Sequence, residues 1–69
     1  MRLNPDALRV IRERTGLSKA QLAELAGVDR TLVTRLENGE RTATPAVTVK
    51  LAAALQCPQT AICTVGEDD

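Results

Sequence analysis

The sequence predicts an all-α fold: five short helices packed as one compact domain. Three observations carry the prediction. Glycines fall at positions 16, 27 and 39, each after a stretch with helical apolar spacing. A residue without a Cβ suits the left-handed conformation that ends a helix there. Cap-forming residues stand at the matching starts, several flanked by apolar residues placed to clamp the first turn. No segment sustains the apolar–polar alternation of a half-buried strand.

The elements follow in order. Asn4 caps a first helix over about 5–15, with Pro5 at its first position and Leu3 and Leu8 as a hydrophobic staple. Ser18 and Gln21 form a capping box for a second helix, about 18–26, stapled by Leu17 and Leu22. Asp29 caps a third, about 29–38, with Val28 and Val33 as staple. Thr44-Pro45 opens a fourth, about 45–56, by the same cap-then-proline logic. The stretch 42–49 is β-prone by composition, but Pro45 sits inside it and the following LAAAL is strongly helical. Cys57-Pro58 ends the fourth helix and starts a short fifth, about 58–65. The expected core is Leu8, Ile11, Leu22, Ala23, Leu25, Val28, Val33, Leu36, Val47, Leu51, Ala54, Leu55 and Ile62. Residues 1–65 read as a single domain and 66–69 as a short acidic disordered tail.

Composition removes several functions. A chain of 69 residues supports one core and buries roughly 60% of the surface its unfolded form exposes. Without Phe, Tyr or Trp it has no platform for stacking unpaired bases, which argues against RNA-recognition and single-strand modules. Without His, and with two Cys, it can build neither a zinc finger nor a His-based hydrolase, so no metal and no cofactor are expected. No nucleophile–base pair, carboxylate dyad or phosphate-cradling glycine loop is present, so an enzyme is not expected. Cys57 and Cys63 lack Cys-x-x-Cys spacing and read as free thiols of a reducing compartment. No leader pattern and no long apolar run appears, which points to the cytoplasm. The net charge of zero offers no bulk attraction for nucleic acid. It is a sum of unlike parts: residues 1–35 hold seven basic and four acidic side chains, and residues 66–69 hold three acids and no base.

Residues 18–38, SKAQLAELAGVDRTLVTRLEN, carry the specific pattern. Two short helices meet at a turn centred on Gly27. Ala23, four residues earlier, lets the helices approach; Val28 plugs the corner; Val33 and Leu36 face the core. That is a helix-turn-helix arrangement whose second helix is free to enter a major groove. An arginine there can donate two parallel hydrogen bonds to guanine O6 and N7, and a small threonine can touch a thymine methyl.

With Gly16-Leu17-Ser18, Leu22 to Val28, Leu36-Glu37-Asn38-Gly39 and Leu51 to Leu55, the sequence resembles the small domain of lambdoid phage repressors and Cro proteins, the xenobiotic-response-element family. The likeness runs from about Leu8 to Ile62. It implies a compact five-helix lambda-repressor-like fold with the helix-turn-helix in helices 2 and 3. It also implies a double-stranded DNA operator, a palindrome bound by a dimer, and a role as a transcription regulator, in the first instance a repressor. By the resemblance Arg30, Thr31 and Arg35 read bases, with Thr34 on the same outer face. Lys19 and Asn38 match phosphate-binding positions, and Arg41 is a further phosphate candidate from the next loop. Lys19 can instead pair with Gln21 or Glu24. Arg12 and Glu37 match a buried structural ion pair; Asp6 and Glu13 are the alternative partners of Arg12. Pro58, Gln59, Ile62 and Val65 are dimer-interface candidates, which can instead close the core. The dimer expected is weak and strengthened by DNA. The alternative function is a protein-interaction module, an antitoxin or an anti-repressor partner, with a protein partner in place of DNA.

Overall fold

The computed structural model describes residues 2–64. Strand β1 (Arg2–Leu3) leads into five helices: α1 (Pro5–Thr15), α2 (Lys19–Ala26), α3 (Arg30–Glu37), α4 (Pro45–Leu55) and α5 (Gln59–Ile62). Strand β2 (Cys63–Thr64) closes the order. The fold is all-α, with one small antiparallel pair added.

Three helices start on the caps that the sequence marks. Asn4 Oδ1 accepts from the N–H groups of Asp6 and Ala7 at 3.0 and 3.2 Å. Ser18 Oγ accepts from the Gln21 N–H at 3.0 Å while Gln21 Oε1 accepts from the Ser18 N–H at 2.8 Å, a complete capping box. Thr44 Oγ1 accepts from the Val47 N–H at 3.2 Å. Each such cap contributes about 0.5–2 kcal/mol. Asp29 departs from the expectation: it holds the extended cap conformation but makes no side-chain cap hydrogen bond.

The first four helices end alike. An N–H two residues past α1, α2 and α4, and three past α3, reaches back to a carbonyl of the last turn: Leu17 to Arg12, Val28 to Ala23, Glu40 to Arg35 and Cys57 to Ala52, at 2.9–3.2 Å. Three of these turns have glycine in the left-handed position. The fourth has Gln56, at φ 56°, which the glycine pattern could not show.

Leu8, Leu22, Val33, Leu36, Leu51 and Ile62 are fully buried, and Ala23, Ala26, Ala52 and Leu55 nearly so. Ile11, Val28, Val47 and Ala54 lie half-buried around them. The expectation for Leu25 fails, because its side chain is 62% exposed. At about 100° per residue it lies roughly 100° off the stripe formed by Leu22, Ala23 and Ala26.

The fifth helix is shorter than the expected 58–65. It stops at Ile62, where Cys63–Thr64 pairs antiparallel with Arg2–Leu3, Arg2 opposite Thr64 and Leu3 opposite Cys63. The Asn4 N–H donates to the Ile62 carbonyl at 2.8 Å, and Asn4 Nδ2 donates to Thr64 Oγ1 at 3.2 Å. The two ends of the described chain are thereby tied together. Val65 and the expected tail 66–69 lie outside the described residues.

Candidate nucleic-acid interface

The site begins with the corner between α2 and α3. Gly27 has φ 72°, and a Cβ built there would meet no atom within 4 Å. Glycine is needed for the backbone angle and not for space. The corner packs α3 against α2, and Ala23, Ala26 and Val33 all belong to the buried cluster.

Helix geometry then sorts α3 into two faces. Val33, Leu36 and Glu37 point inward and are buried. At about 100° per residue, Thr31 and Arg35 lie opposite that buried face, one turn apart. Arg30 and Thr34 form a second one-turn pair along the flank. Arg30, Thr31 and Arg35 are exposed, and Thr34 is half-buried. Thr31, Leu32 and Arg35 line a cleft of about 300 Å³ with Asp29 and Arg41. The loop after α3 thus brings Arg41 back to the outer face of the helix. Asn38 follows the last helical residue, exposed, with its N–H donated to the Thr34 carbonyl. Lys19 is the first residue of α2 and half-buried.

Behind this face lies one buried ion pair. Arg12 Nε donates to Glu37 Oε2 at 2.6 Å and Arg12 Nη2 to Glu37 Oε1 at 3.1 Å, a two-pronged contact between α1 and the end of α3. The third nitrogen, Nη1, donates to the Leu17 carbonyl at 2.8 Å in the link to α2. The Glu37 hydrogen bond holds the Arg12 guanidinium above its ordinary pKa against the opposing effect of burial, with the Glu37 charge adding to it. Of the alternative partners, Glu13 stands at 4.0 Å and Asp6 pairs with Arg9 at 3.5 Å. Among the described residues no buried side-chain nitrogen or oxygen lacks a hydrogen-bond partner. The pair is therefore satisfied, and it fixes the angle at which α3 stands on α1 and α2.

The surface cations are differently placed. Among the described residues, no carboxylate lies within salt-bridge distance of Lys19, Arg30, Arg35 or Arg41. Lys19 makes no pair with Glu24, and the Gln21 side chain is spent on the capping box.

A family model described as a helix-turn-helix domain matches residues 6–62. The chain belongs to that family. Solved structures place the domain more closely. The chain is 37% identical to the restriction-modification controller protein C.AhdI from Aeromonas hydrophila, with 83% of this chain and 86% of that one covered and a TM-score of 0.81. It is 32% identical to an HTH_3 family transcriptional regulator from Vibrio cholerae, over 83% of this chain and 32% of that one, with a TM-score of 0.79. The DNA-binding domain of the P22 c2 repressor shares the fold at a TM-score of 0.79 and 24% identity, over 83% of this chain and 75% of that one. No curated protein matches.

Within this helix-turn-helix domain the structure gathers Thr31, Arg35 and Arg41 on one cleft, with Arg30 and Thr34 along the flank of α3 and Asn38 just past its end. Lys19 stands at the start of the neighbouring one. Ile62 is not available to a partner: it is fully buried and closes the core. Pro58 and Gln59 remain exposed. Asp29 holds the N-cap position the sequence assigns it, but its side chain makes no cap hydrogen bond and lines the cleft. No sequence signal separates the two, since the residue type and position are those of a good cap.

Proposed function

We propose that this helix-turn-helix domain binds double-stranded DNA sequence-specifically and regulates transcription, as a repressor that occupies a palindromic operator as a dimer. The observation that carries the reading is the outer face of α3. Arg30, Thr31 and Arg35 stand exposed there, and among the described residues no carboxylate pairs with the arginines, on a helix whose other face is locked into the core. Relatives that are a controller protein and a transcriptional regulator support the same reading.

In this account α3 enters the major groove. Arg30 and Arg35 each donate to guanine O6 and N7, worth about 1–3 kcal/mol of discrimination per base pair. Thr31 and Thr34 touch thymine methyls or hydrogen-bond bases. Lys19, Asn38 and Arg41 grip phosphates and set the register without reading sequence. Arg12 and Glu37 touch no DNA and hold α3 at its angle. One helix reads about four to six base pairs, so two copies are needed for a useful site. Pro58 and Gln59 are the surface proposed for a weak pairing that DNA strengthens. The domain performs no chemistry and acts in the cytoplasm.

Few phosphate contacts give a shallow salt dependence, about −3 to −5 in log affinity against log salt per monomer. A mobility shift with a pool of random duplexes at low salt tests the proposal. Retarded duplex, lost steeply for Arg30→Ala or Arg35→Ala, is the expected result. A chain that retards no duplex but copurifies with a partner protein overturns it in favour of an interaction module.

A further inference from the structure

We propose that Asp29 is a specificity-determining residue that accepts a hydrogen bond from the exocyclic amino group of a cytosine in the major groove. The inference rests on the DNA-binding reading and extends it to a residue of opposite charge.

Four observations converge on Asp29. Its side chain has no cap hydrogen bond, although residue type and backbone conformation are those of a cap. The reason is local: the Leu32 N–H, the donor a cap side chain would take, is held by the Asp29 carbonyl at 3.0 Å, and so is the Val33 N–H at 3.3 Å. Contrast Ser18, whose hydroxyl takes the corresponding N–H at 3.0 Å. Among the described residues Asp29 also has no cation within salt-bridge distance. Yet it is exposed on the cleft that holds Thr31, Arg35 and Arg41. Among the described residues, an acceptor without a salt-bridge partner therefore stands beside two cations, Arg35 and Arg41, that have none.

The chemistry of the groove selects the ligand. An ionised carboxylate only accepts. Guanine and thymine present acceptors to it, and a phosphate presents negative charge; all three are repelled. Adenine offers its amino group beside the N7 acceptor, so attraction and repulsion are mixed. Cytosine offers the N4 donor with no acceptor next to it. A G·C pair further presents O6 and N7 on its other base, the pattern an arginine takes. Asp29 and Arg35, facing one cleft, can read the two edges of one G·C pair or of adjoining pairs.

The test measures relative affinities of the full chain for its preferred duplex, with all four base pairs substituted at each position in turn. Wild type, Asp29→Ala and Asp29→Ser are compared. Serine can cap the helix but carries no charge, so a role confined to capping would leave the serine variant like wild type. The expected result is one position per half-site where wild type prefers cytosine by about 5- to 150-fold. Both variants bring that position to within about twofold among bases and leave the preferences assigned to Arg30 intact. They also bind unrelated duplex more tightly than wild type at low salt, because a negative charge has gone. Base preferences unchanged at every position in Asp29→Ala or Asp29→Ser overturn the proposal while DNA binding stands. A wild-type chain that binds no duplex overturns the DNA-binding reading, and this proposal with it.

Discussion

Replacing Arg12 by methionine is the sharpest perturbation of the scaffold. The variant keeps an apolar stem where the arginine stem packed. It withdraws two donors from the Glu37 carboxylate and one from the Leu17 carbonyl. The Glu37 side chain is 2% exposed, so water does not replace them. Removing one partner of a buried pair costs about 3–5 kcal/mol, because the other charge is left uncompensated. A domain of 69 residues holds about 3–10 kcal/mol in total at roughly 0.05–0.15 kcal/mol per residue. Arg12→Met therefore removes a third or more of the stability, or all of it. The double variant Arg12→Met/Glu37→Leu removes both charges and is expected to recover to wild-type stability, or to exceed it by up to about 4 kcal/mol. Urea unfolding followed by far-ultraviolet circular dichroism is the assay, since the chain has no aromatic residue to report by fluorescence. A loss below about 1 kcal/mol in Arg12→Met, or a double variant as unstable as the single one, would refute the reasoning. The guanidinium pKa is raised, so the associated stabilisation is complete below its ordinary value and is lost only as pH climbs past it. The pair should thus contribute equally from neutral pH to about pH 10.

Further outcomes follow from burial and charge. Leu22→Ala should cost about 2–5 kcal/mol in thermal or urea unfolding, whereas Leu25→Ala should stay within about 0.5 kcal/mol, its side chain being 62% exposed. Burial pushes both thiols, Cys57 and Cys63, above their ordinary pKa. Iodoacetamide should therefore modify them more slowly in the folded than in the unfolded chain near pH 8.5, the usual thiol range. The sign for stability is the same as for any raised group: the contribution is full below the ordinary thiol value and declines as pH rises through the raised one, visible as a falling urea midpoint in alkali. Lys19→Ala should weaken binding to all duplexes alike and reduce the salt slope by about 1, without altering base preferences.

The helices were legible because their signals are local. Asn4, Ser18 and Thr44 each bond to N–H groups two or three residues away, within reach of any reading of the sequence. Leu25 was misplaced because eight residues of helix rich in Leu and Ala allow more than one apolar stripe. Only the packing of α4 and α3 on α2 decides between them. Asp29 keeps the cap position but not the cap bond: cap propensity belongs to the residue type, and in the first turn of α3 the Asp29 backbone carbonyl takes the Leu32 N–H instead. The β1–β2 pair and the end of α5 depend on a bond between Asn4 and Ile62, at opposite ends of the chain, and two-residue strands are too short to show alternation. The contact of Arg12 with Glu37 spans helices that no periodicity relates; resemblance to a family pointed to the partner, and the place of Glu37 beside Leu36 on the core side showed that its carboxylate needs one. In the candidate interface, the residue types and the outer face of α3 were readable. The return of Arg41 to the cleft beside Arg35 was not, because a loop without regular structure sets it.

The neutral overall charge also reads differently once charges are placed. Glu37 is consumed inside the molecule, while Lys19, Arg30, Arg35 and Arg41 face outward with no carboxylate partner among the described residues. A face with so few cations leans on base contacts more than on bulk attraction. The measurement that tests this most directly is an in vitro selection of the full chain against random duplexes at moderate salt. The account predicts a two-fold symmetric site with at least one G·C pair in each half that depends on Arg30 or Arg35. Recovery of no enriched sequence, or of duplexes enriched without symmetry and unchanged by Arg30→Ala and Arg35→Ala, would contradict it.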